Sequence, residues 1–230
     1  MVSKNLLLYH ESSYCNTHYY KAEVMKKYWY AFFIFWTLLL SQHAMAIEEA
    51  KYSVLLQESD IEIRQYDSHI VAETIIQGEL EDAGNAAFKP LFNYISGDNT
   101  SQTDISMTAP VSQQATNQEI AMTAPVGQQQ VESGWAVSFM MPASYTLDTL
   151  PTPNNPLVKL RQVPGQLIAA IRYSGFWSES NYVKHKKELE NWLKQSGYQS
   201  SGKAIWARYN APFTPWFLRR NEVLIPITKK

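Results

Sequence analysis

Cysteine is almost absent from this chain of 230 residues, in which Cys15 is the single example. One cysteine cannot build an internal disulfide framework, and it excludes Cys-rich zinc and iron–sulfur sites. The nucleophile elbow Gly-x-Ser-x-Gly, the zinc motif His-Glu-x-x-His, the P-loop and the dinucleotide fingerprint are also missing. These absences argue against several common classes of hydrolase, metalloprotease and nucleotide-dependent enzyme.

The chain also lacks an excess of charge of either sign. Lys and Arg number 20 against 21 Asp and Glu, and the formal net charge is −1. A nucleic-acid-binding protein would show a basic excess gathered on one face, so no nucleic-acid partner is expected. Hydrophobic residues at 45% and charged residues at 18% are typical of a globular chain rather than a disordered one. The length allows one domain or at most two small ones.

Residues 25–46 carry the three parts of a secretory signal peptide in order. Lys26 and Lys27 form a positive start, residues 28–40 are uncharged and mostly apolar, and Ala44-Met-Ala46 fits the pattern of a cleavage site. The apolar run is shorter than the roughly 20 residues of a spanning helix. We therefore expect a periplasmic or secreted protein with no stable membrane span after processing. The alternative is an uncleaved segment that anchors the protein to the membrane.

The residues before this segment have no recognisable targeting pattern. Because a signal peptide begins near its own methionine, we expect residues 1–24 to be a mis-assigned extension and Met25 to be the true start. Cleavage at the predicted site would leave a mature domain of residues 47–230. That domain has no cysteine, which suits an oxidising compartment, and it keeps only His69 and His185. A Ser–His–acid triad could then use only those two histidines.

Hydrophobic periodicity in the mature domain alternates between strand and helix patterns. Helices are predicted over residues 79–95 and 178–195; Pro90 should kink the first or mark a change of register, and Ser178 is a candidate N-cap of the second. Strands are predicted for the runs 52–57, 61–66, 70–76, 135–141, 157–163, 166–173, 203–209 and 222–227. The order strands–helix–strands occurs twice, which predicts an α+β fold with a mostly antiparallel sheet and pseudo-two-fold similarity.

The sheet pattern makes two more specific predictions. The Pro164-Gly165 pair between the runs 157–163 and 166–173 predicts a hairpin. Each helix must bury its apolar stripe against the sheet. A ligand could therefore lie on the remaining face of the sheet or in a groove between helix and sheet.

A seven-residue segment occurs twice, as Ile105-Ser-Met-Thr-Ala-Pro-Val111 and as Ile120-Ala-Met-Thr-Ala-Pro-Val126. Each copy is a β-prone run that ends near a proline, which is typical of an edge strand or a bulge. We expect the two copies to pair as edge strands joined by residues 112–119. Two methionines without a nearby histidine or cysteine are a poor metal site, so no metal is expected here.

The repeated segment, taken with three other motifs, resembles the SOUL haem-binding protein family. The other motifs are Tyr52 with Ile61-Glu-Ile-Arg-Gln-Tyr66, then Arg172-Tyr-Ser-Gly-Phe176, and Arg219-Arg-Asn-Glu-Val-Leu-Ile-Pro-Ile227. The motifs cover about residues 50–228, in the order found in the family. The resemblance implies a distorted antiparallel β-barrel or curved sheet with two helices, similar to the effector-binding domains of drug-sensing transcription regulators.

The resemblance also implies where haem would lie, between the first helix and the loop before the last strand. The loop runs over residues 209–217. Glu222 is included as a candidate polar anchor, since the related regulator fold commonly places a glutamate in its pocket; the alternative is a side chain that faces solvent. The predicted cofactor-binding residues are Asn85, Phe88, Phe92, Tyr209, Pro212, Phe213, Trp216, Arg219 and Glu222.

Large rings in the late loop are unusual, because loops generally contact solvent. Phe213, Trp216 and Phe217 could line a groove or a partner-binding patch, or they could fold back and cap the core. Arg219 and Arg220 could meet the propionates of haem, or they could form a solvated charge pair beside a strand.

No strong axial ligand for a haem iron is predicted. Some members of the family carry histidine where this chain has Gln65, and an amide is a poor iron ligand. We therefore expect an exported protein that binds haem or another tetrapyrrole weakly, as a planar hydrophobic ligand in an aromatic groove. One alternative is an enzyme that acts on haem or on a small hydrophobic compound in the same cavity. Another is a protein-interaction role for the aromatic loop.

Overall fold

The computed structural model describes residue 29, residues 47–101 and residues 117–230. The predicted upstream extension, the predicted signal segment and the first copy of the repeat lie outside these residues, apart from Trp29. Residues Ile47–Lys230 form one compact unit. Among the described residues, no helix is both long enough and apolar enough to cross a membrane.

The described elements follow the predicted alternation of strands and helices. The helices are α1 (Leu80–Ile95) and α2 (Glu179–Gln195), and a short 3-10 helix covers Trp216–Leu218. The strands are β1 (Glu48–Glu49), β2 (Tyr52–Glu58), β3 (Ile61–Tyr66), β4 (His69–Ile76), β5 (Asn99–Thr100), β6 (Thr123–Ala124), β7 (Val126–Val131), β8 (Gly134–Met140), β9 (Thr152–Pro153), β10 (Lys159–Val163), β11 (Gln166–Tyr173), β12 (Tyr198–Ser200), β13 (Ile205–Arg208) and β14 (Asn221–Lys229).

Most of the strands form one antiparallel sheet. Its spatial order is β10-β4-β8-β7-β13-β14-β11-β3-β2, and β12 pairs with β14 beside this path. The end strands β10 and β2 do not pair with each other, so the sheet formed by the described strands is open rather than a closed barrel. The predicted α+β fold with two helices is confirmed, and the barrel form that the resemblance allowed is wrong.

The order of the sheet is symmetric about the pair β7–β13. When the short strands β5, β6 and β12 are left aside, the first half reads β4-α1-β7-β8 along the chain, and the second half reads β11-α2-β13-β14. In the sheet, the neighbouring strands β4-β8-β7 of the first half correspond to β11-β14-β13 of the second half. Helix α1 packs on β4 and β8, and helix α2 packs on β11 and β14. The predicted pseudo-two-fold similarity is confirmed. The tight turn between β7 and β8 has as its counterpart the long aromatic loop between β13 and β14.

Both helices pack on one face of the sheet through apolar stripes. In α1 the stripe includes Leu80, Ala87 and Leu91, and the helix continues without a break through Pro90. In α2 the buried members are Tyr182, Leu189 and Leu193, and the predicted N-cap is confirmed, since the Ser178 hydroxyl accepts from the N–H of Asn181 at 3.4 Å. The other face of the sheet carries a smaller apolar cluster around Tyr66, Ile168, Tyr209 and Leu224.

The predicted hairpin around Pro164-Gly165 is wrong. β10 pairs with β4, while β11 pairs with β3 and β14, so these consecutive strands lie at different places in the sheet. The Pro164-Gly165 connection runs beside the one between β3 and β4, and a Cβ on Gly165 would stand 3.0 Å from the carbonyl oxygen of Tyr66. β10 and β11 therefore do not pair with each other across their turn. β10 pairs with β4 and β11 pairs with β3, and β3 and β4 are themselves joined by the adjacent connection.

The second copy of the repeat contributes a short strand that pairs near the amino-terminal end of the compact unit. Its residues Thr123–Ala124, strand β6, pair in parallel with Glu48–Glu49. The predicted pairing between the two copies lies outside the described residues. The Gln-rich strand β7, which follows the second copy, was not predicted.

Candidate functional site

The late loop exposes its aromatic rings. Phe213 is 89% exposed, Trp216 is 49% exposed and Phe217 is 58% exposed, so the interpretation that they cap the core is wrong. The ring of Trp216 stacks on Phe176 with 5.3 Å between centroids and meets Phe217 edge-on at 5.5 Å. We call Phe176, Trp216 and Phe217 the loop cluster.

Local hydrogen bonds hold the loop cluster in place. The N–H of Gly175 donates to the carbonyl oxygen of Trp216 at 3.1 Å. Arg219 donates from Nε to the carbonyl oxygen of Thr214 and from Nη2 to that of Pro212, both at 2.8 Å. Because its guanidinium binds two carbonyls of the loop, Arg219 fixes the path of the chain.

Helix α1 presents a second pair of exposed rings. Phe88 and Phe92 lie one turn apart and stack with 5.5 Å between centroids, and Phe88 also meets the buried Phe139 edge-on at 5.6 Å. Asn85 is exposed one turn before Phe88. The three predicted helix residues therefore share one exposed stripe. We call Phe88 and Phe92 the helix pair.

A row of side chains connects α1 to the late loop. Gly84 packs against Arg208 so closely that a Cβ on Gly84 would stand 2.5 Å from Arg208 Nη2. The guanidinium of Arg208 lies 5.3 Å from the ring centre of Trp177, and that of Arg219 lies 4.3 Å from the same ring. Asn221 orients Trp177 by accepting a hydrogen bond from its Nε1 at 2.9 Å. Among the described residues no ring contact joins the helix pair to the loop cluster. Arg208 and Trp177 link Gly84 of α1 to Arg219 of the late loop.

Glu222 lies fully buried in a hydrogen-bond network. Its Oε2 accepts from Arg64 Nη1 and from the Tyr209 hydroxyl, both at 2.7 Å, and its Oε1 accepts from Arg64 Nη2 and Arg220 Nε, both at 3.0 Å. Burial alone would raise the pKa of Glu222, but the two arginines and the hydroxyl outweigh burial and hold the pKa below its usual value. All of these partners are internal, so the predicted role of Glu222 as a ligand anchor finds no support in these contacts.

Tyr209 and Arg220 belong to the same hydrogen-bond network. Arg220 Nη1 binds both carboxylate oxygens of Glu49 at 2.9 Å, and its guanidinium lies 3.8 Å from the ring centre of Tyr209. Burial raises the pKa of Tyr209 well above its usual value, so the hydroxyl stays protonated and donates to Glu222. Arg220 is therefore neutralised inside the domain. Within the described residues Arg219 has no carboxylate partner, and its role toward a propionate stays a prediction.

Sequence reasoning did not single out Arg64, Trp177 or Arg208. In the run 61–66, strand alternation places Arg64 with Glu62 on the side opposite Ile61 and Ile63, which is typical of a polar face, but this strand is covered on both faces and Arg64 is buried. A signal for Arg208 is present in the sequence, because strand alternation places it on the same face of β13 as the bulky Trp206. An arginine two residues from a core tryptophan is an unusual neighbour for a helix-covered face.

A cavity of about 280 Å³ lies on the sheet face opposite the helices. Its lining combines apolar side chains with His69, Glu73 and Arg161, and the last two form an ion pair at 2.7 Å. A second hollow of about 560 Å³ shares His69 with the first. Its acidic lining residues are Glu48, Glu49, Asp67 and Asp148. None of the nine predicted cofactor-binding residues lines either space.

Neither of the described histidines contacts the helix pair or the loop cluster. His69 Nδ1 lies 3.1 Å from the carbonyl oxygen of Asp67, and His185 stacks on Tyr173 with 3.9 Å between ring centres. His185 Nδ1 lies 2.7 Å from the carbonyl oxygen of Asn181. In residues 47–101 and 117–230, no group of three His, Cys, Asp or Glu side chains could hold a metal ion.

Comparison with solved structures identifies the same fold in proteins of different kinds. A hydrolase from Listeria innocua superposes with a TM-score of 0.53 at 13% identity, over 76% of this chain and 94% of that one. EcmrR, solved in a complex with DNA, superposes with a TM-score of 0.52 at 10% identity, over 100% of this chain and 78% of that one. At these identities the likeness establishes the fold alone.

Sequence comparison is more specific. Heme-binding protein 1 of Mus musculus is 25% identical over 145 residues, which are 63% of this chain and 71% of the mouse protein. The family model described as SOUL heme-binding protein matches residues 47–226, nearly the whole of the compact unit. The chain belongs to the SOUL heme-binding protein family.

Proposed function

We propose that the protein binds haem, or another tetrapyrrole, on the surface between the helix pair and the loop cluster. The observation that carries the proposal is the exposure of stacked rings on both sides of the Arg208–Trp177 link. Exposed rings in such numbers are unusual on a soluble domain and match the apolar faces of a planar ligand. The family description and the name of the mouse relative favour a tetrapyrrole as that ligand.

The two described cavities suit a tetrapyrrole less well. The cavity of about 280 Å³ is smaller than the roughly 300–1,000 Å³ that encloses a drug-sized ligand, and a tetrapyrrole is larger than most such ligands. The hollow of about 560 Å³ has an acidic lining, which would repel the propionates of haem.

The residues of the proposed surface fit the ring of haem but not its iron. The rings of the helix pair and the loop cluster can stack on a porphyrin, whereas Tyr209 donates its hydroxyl to Glu222 and the described histidines have contacts elsewhere. Iron held in a protein normally has a histidine, cysteine, methionine or tyrosine ligand. We therefore propose weak binding through the ring system, without a strong axial ligand.

We propose binding rather than catalysis as the activity of this surface. The family description names binding, and the hydrolase from Listeria innocua is related through the fold alone. Following the Soret band after haem is added separates the two classes. A stable shift of the band indicates binding, and progressive loss of the band indicates an enzyme that acts on haem.

Alanine variants on each side of the surface test the proposal. We expect Phe88→Ala/Phe92→Ala and Trp216→Ala/Phe217→Ala each to weaken haem binding about tenfold or more, because two aromatic contacts worth roughly 1 kcal/mol apiece are lost. The measurement is a haem titration followed by the Soret absorbance. Leu157→Ala is the matched control, since Leu157 is an exposed apolar residue outside the proposed surface and its loss should leave the titration unchanged.

Two results would contradict this model of the site. If either double variant bound haem as well as the parent protein, the ligand would contact one side of the surface only. If haem gave a sharp low-spin spectrum that disappeared in His69→Ala, the iron would have an axial ligand and the ring-stacking model would be wrong.

We also propose that the domain acts outside the cytoplasm, in the periplasm or as a secreted protein. The signal-like pattern of residues 25–46 supports export, and both the family match and the compact unit begin at residue 47, so cleavage there would leave the domain whole. Sequencing the amino terminus of protein recovered from its own cells tests this. A start at Ile47 is expected, and a chain that retains residues 25–46 would instead favour a membrane-anchored form.

A further inference from the structure

Arg208 is a half-buried cation without a carboxylate partner. Its side-chain hydrogen bond goes to Gln128 Oε1 at 3.3 Å, and its other contacts are the rings of Trp177 and Trp206, with 5.1 Å to the second. Burial lowers the pKa of Arg208 to about 10, which leaves the guanidinium charged at neutral pH. In the part of the chain that the structure describes, no Asp or Glu forms an ion pair with it. A charge in such a position is normally paired.

Two buried hydrogen-bond donors beside Arg208 also lack acceptors. Trp206 Nε1 and the Tyr173 hydroxyl are both buried without a hydrogen-bond partner among the described residues. Burial raises the pKa of Tyr173, while the adjacent Trp206 and the charge of Arg208 oppose that rise, so the hydroxyl lies close to both groups. Buried polar atoms are almost always satisfied. The acceptors at this point are Gln128 Oε1 and the Tyr173 oxygen, and the N–H and O–H donors of Arg208, Trp206 and Tyr173 outnumber them.

The guanidinium of Arg208 also lies against helix α1. Gly84 lacks the Cβ that would stand 2.5 Å from Arg208 Nη2, so the guanidinium lies directly against the second turn of the helix. Asn85 follows Gly84 in sequence, and Phe88 of the helix pair lies one turn further on.

We propose that Arg208, which is partly exposed, binds a carboxylate of the ligand, so that the surface selects planar ligands that carry a free carboxylate. The inference rests on the proposed function for the position of the ligand. A carboxylate accepts several hydrogen bonds at once, and its charge matches that of the guanidinium. Haem and other tetrapyrroles with propionate side chains meet this requirement, whereas their esters do not.

Protoporphyrin IX and its dimethyl ester, presented in the same detergent, test the proposal. We expect the parent protein to bind the free acid about tenfold more tightly than the ester, the size of one charge-assisted hydrogen bond. In Arg208→Met the difference in affinity between the free acid and the ester should disappear. Arg172→Met is the control, because Arg172 is an exposed arginine on β11, which is separated from the strand of Arg208 by β14. Urea unfolding of Arg208→Met should show undiminished stability, since the variant removes a charge that has no carboxylate partner in the fold.

The outcomes separate this inference from the proposed function. Equal binding of acid and ester by the parent protein would overturn the carboxylate site and leave tetrapyrrole binding standing. Preference for the acid that persists in Arg208→Met would also overturn it, since another cation would then hold the carboxylate. Failure of the parent protein to bind either compound would overturn the proposed function and the inference together.

Discussion

Replacing Glu222 by glutamine is expected to lower the free energy of unfolding by about 3–5 kcal/mol. Every group that touches the carboxylate is a donor: two nitrogens of Arg64, two of Arg220 and the hydroxyl of Tyr209. The amide of glutamine would turn an NH₂ group toward donors and leave two guanidinium groups without their shared anion. The loss is large because the acceptor is fully buried and water cannot replace it.

Urea unfolding of Glu222→Gln against the parent protein measures this effect. The control is Glu73→Gln, which breaks the more exposed ion pair with Arg161 and should cost no more than about 1 kcal/mol. Arg64 keeps Glu62 and Arg220 keeps Glu49, but both of these carboxylates are partly exposed and compensate only in part. Equal losses in Glu222→Gln and Glu73→Gln would show that the buried network contributes no more than a surface pair.

The same substitution should change how stability depends on pH. The pKa of Glu222 is lower in the folded than in the unfolded protein, so its contribution is complete above the unfolded value, near 4.3, and is lost as the pH falls toward the folded value. The stability difference between the parent protein and Glu222→Gln should therefore be constant from pH 7 to about 5 and shrink at lower pH. Unfolding midpoints measured from pH 7 to 3 provide the check, and a difference that stayed constant to pH 3 would contradict it.

Local patterns were sufficient to predict the helices and most strands of the main sheet. The apolar stripe of α1 and the N-cap Ser178 of α2 are properties of neighbouring residues, and both occur where the sequence indicated them. The unpredicted strand β7 has the sequence Val126-Gly-Gln-Gln-Gln-Val131, which lacks apolar alternation because Gln128 uses its side chain to bind the backbone of α1. In β7, a hydrogen bond between distant parts of the chain takes the place of the alternating apolar residues from which a strand is usually predicted.

Pairings between distant residues were not predictable in the same way. Arg64 and Glu222 are separated by 158 positions, and nothing local to either residue indicates that the other will neutralise it. The hairpin at Pro164-Gly165 failed for a related reason, because turn residues indicate a change of direction but not which strand will be the partner. The aromatic loop was identified from its composition, whereas its exposure depends on contacts of Gly175 and Arg219 made only in the folded domain.

Replacing Gly134 by alanine is expected to destabilise the domain by at least about 3 kcal/mol, the second large effect in the fold. Gly134 has φ of +132°, which an L-residue adopts only under strain of roughly 1–3 kcal/mol. A Cβ at this position would also stand 2.3 Å from the carbonyl oxygen of Ile76, which is backbone and cannot rotate away. The alanine would force the start of β8 away from the end of β4, where Ile76 pairs with Trp135.

Gly78→Ala separates the two sources of this loss. Gly78 has φ of +116°, but a Cβ there would meet nothing within 4 Å, so the variant carries the conformational strain without the collision. Urea unfolding should therefore show a loss of about 1–2 kcal/mol for Gly78→Ala and a clearly larger one for Gly134→Ala. Equal losses of unfolding free energy in the two variants would mean that the start of β8 moves away from Ile76 at no cost. Phe139 lies on the same strand as Gly134 and packs against Phe88. The pairing of β4 with β8, which Gly134 permits, therefore also positions the ring that supports the helix pair.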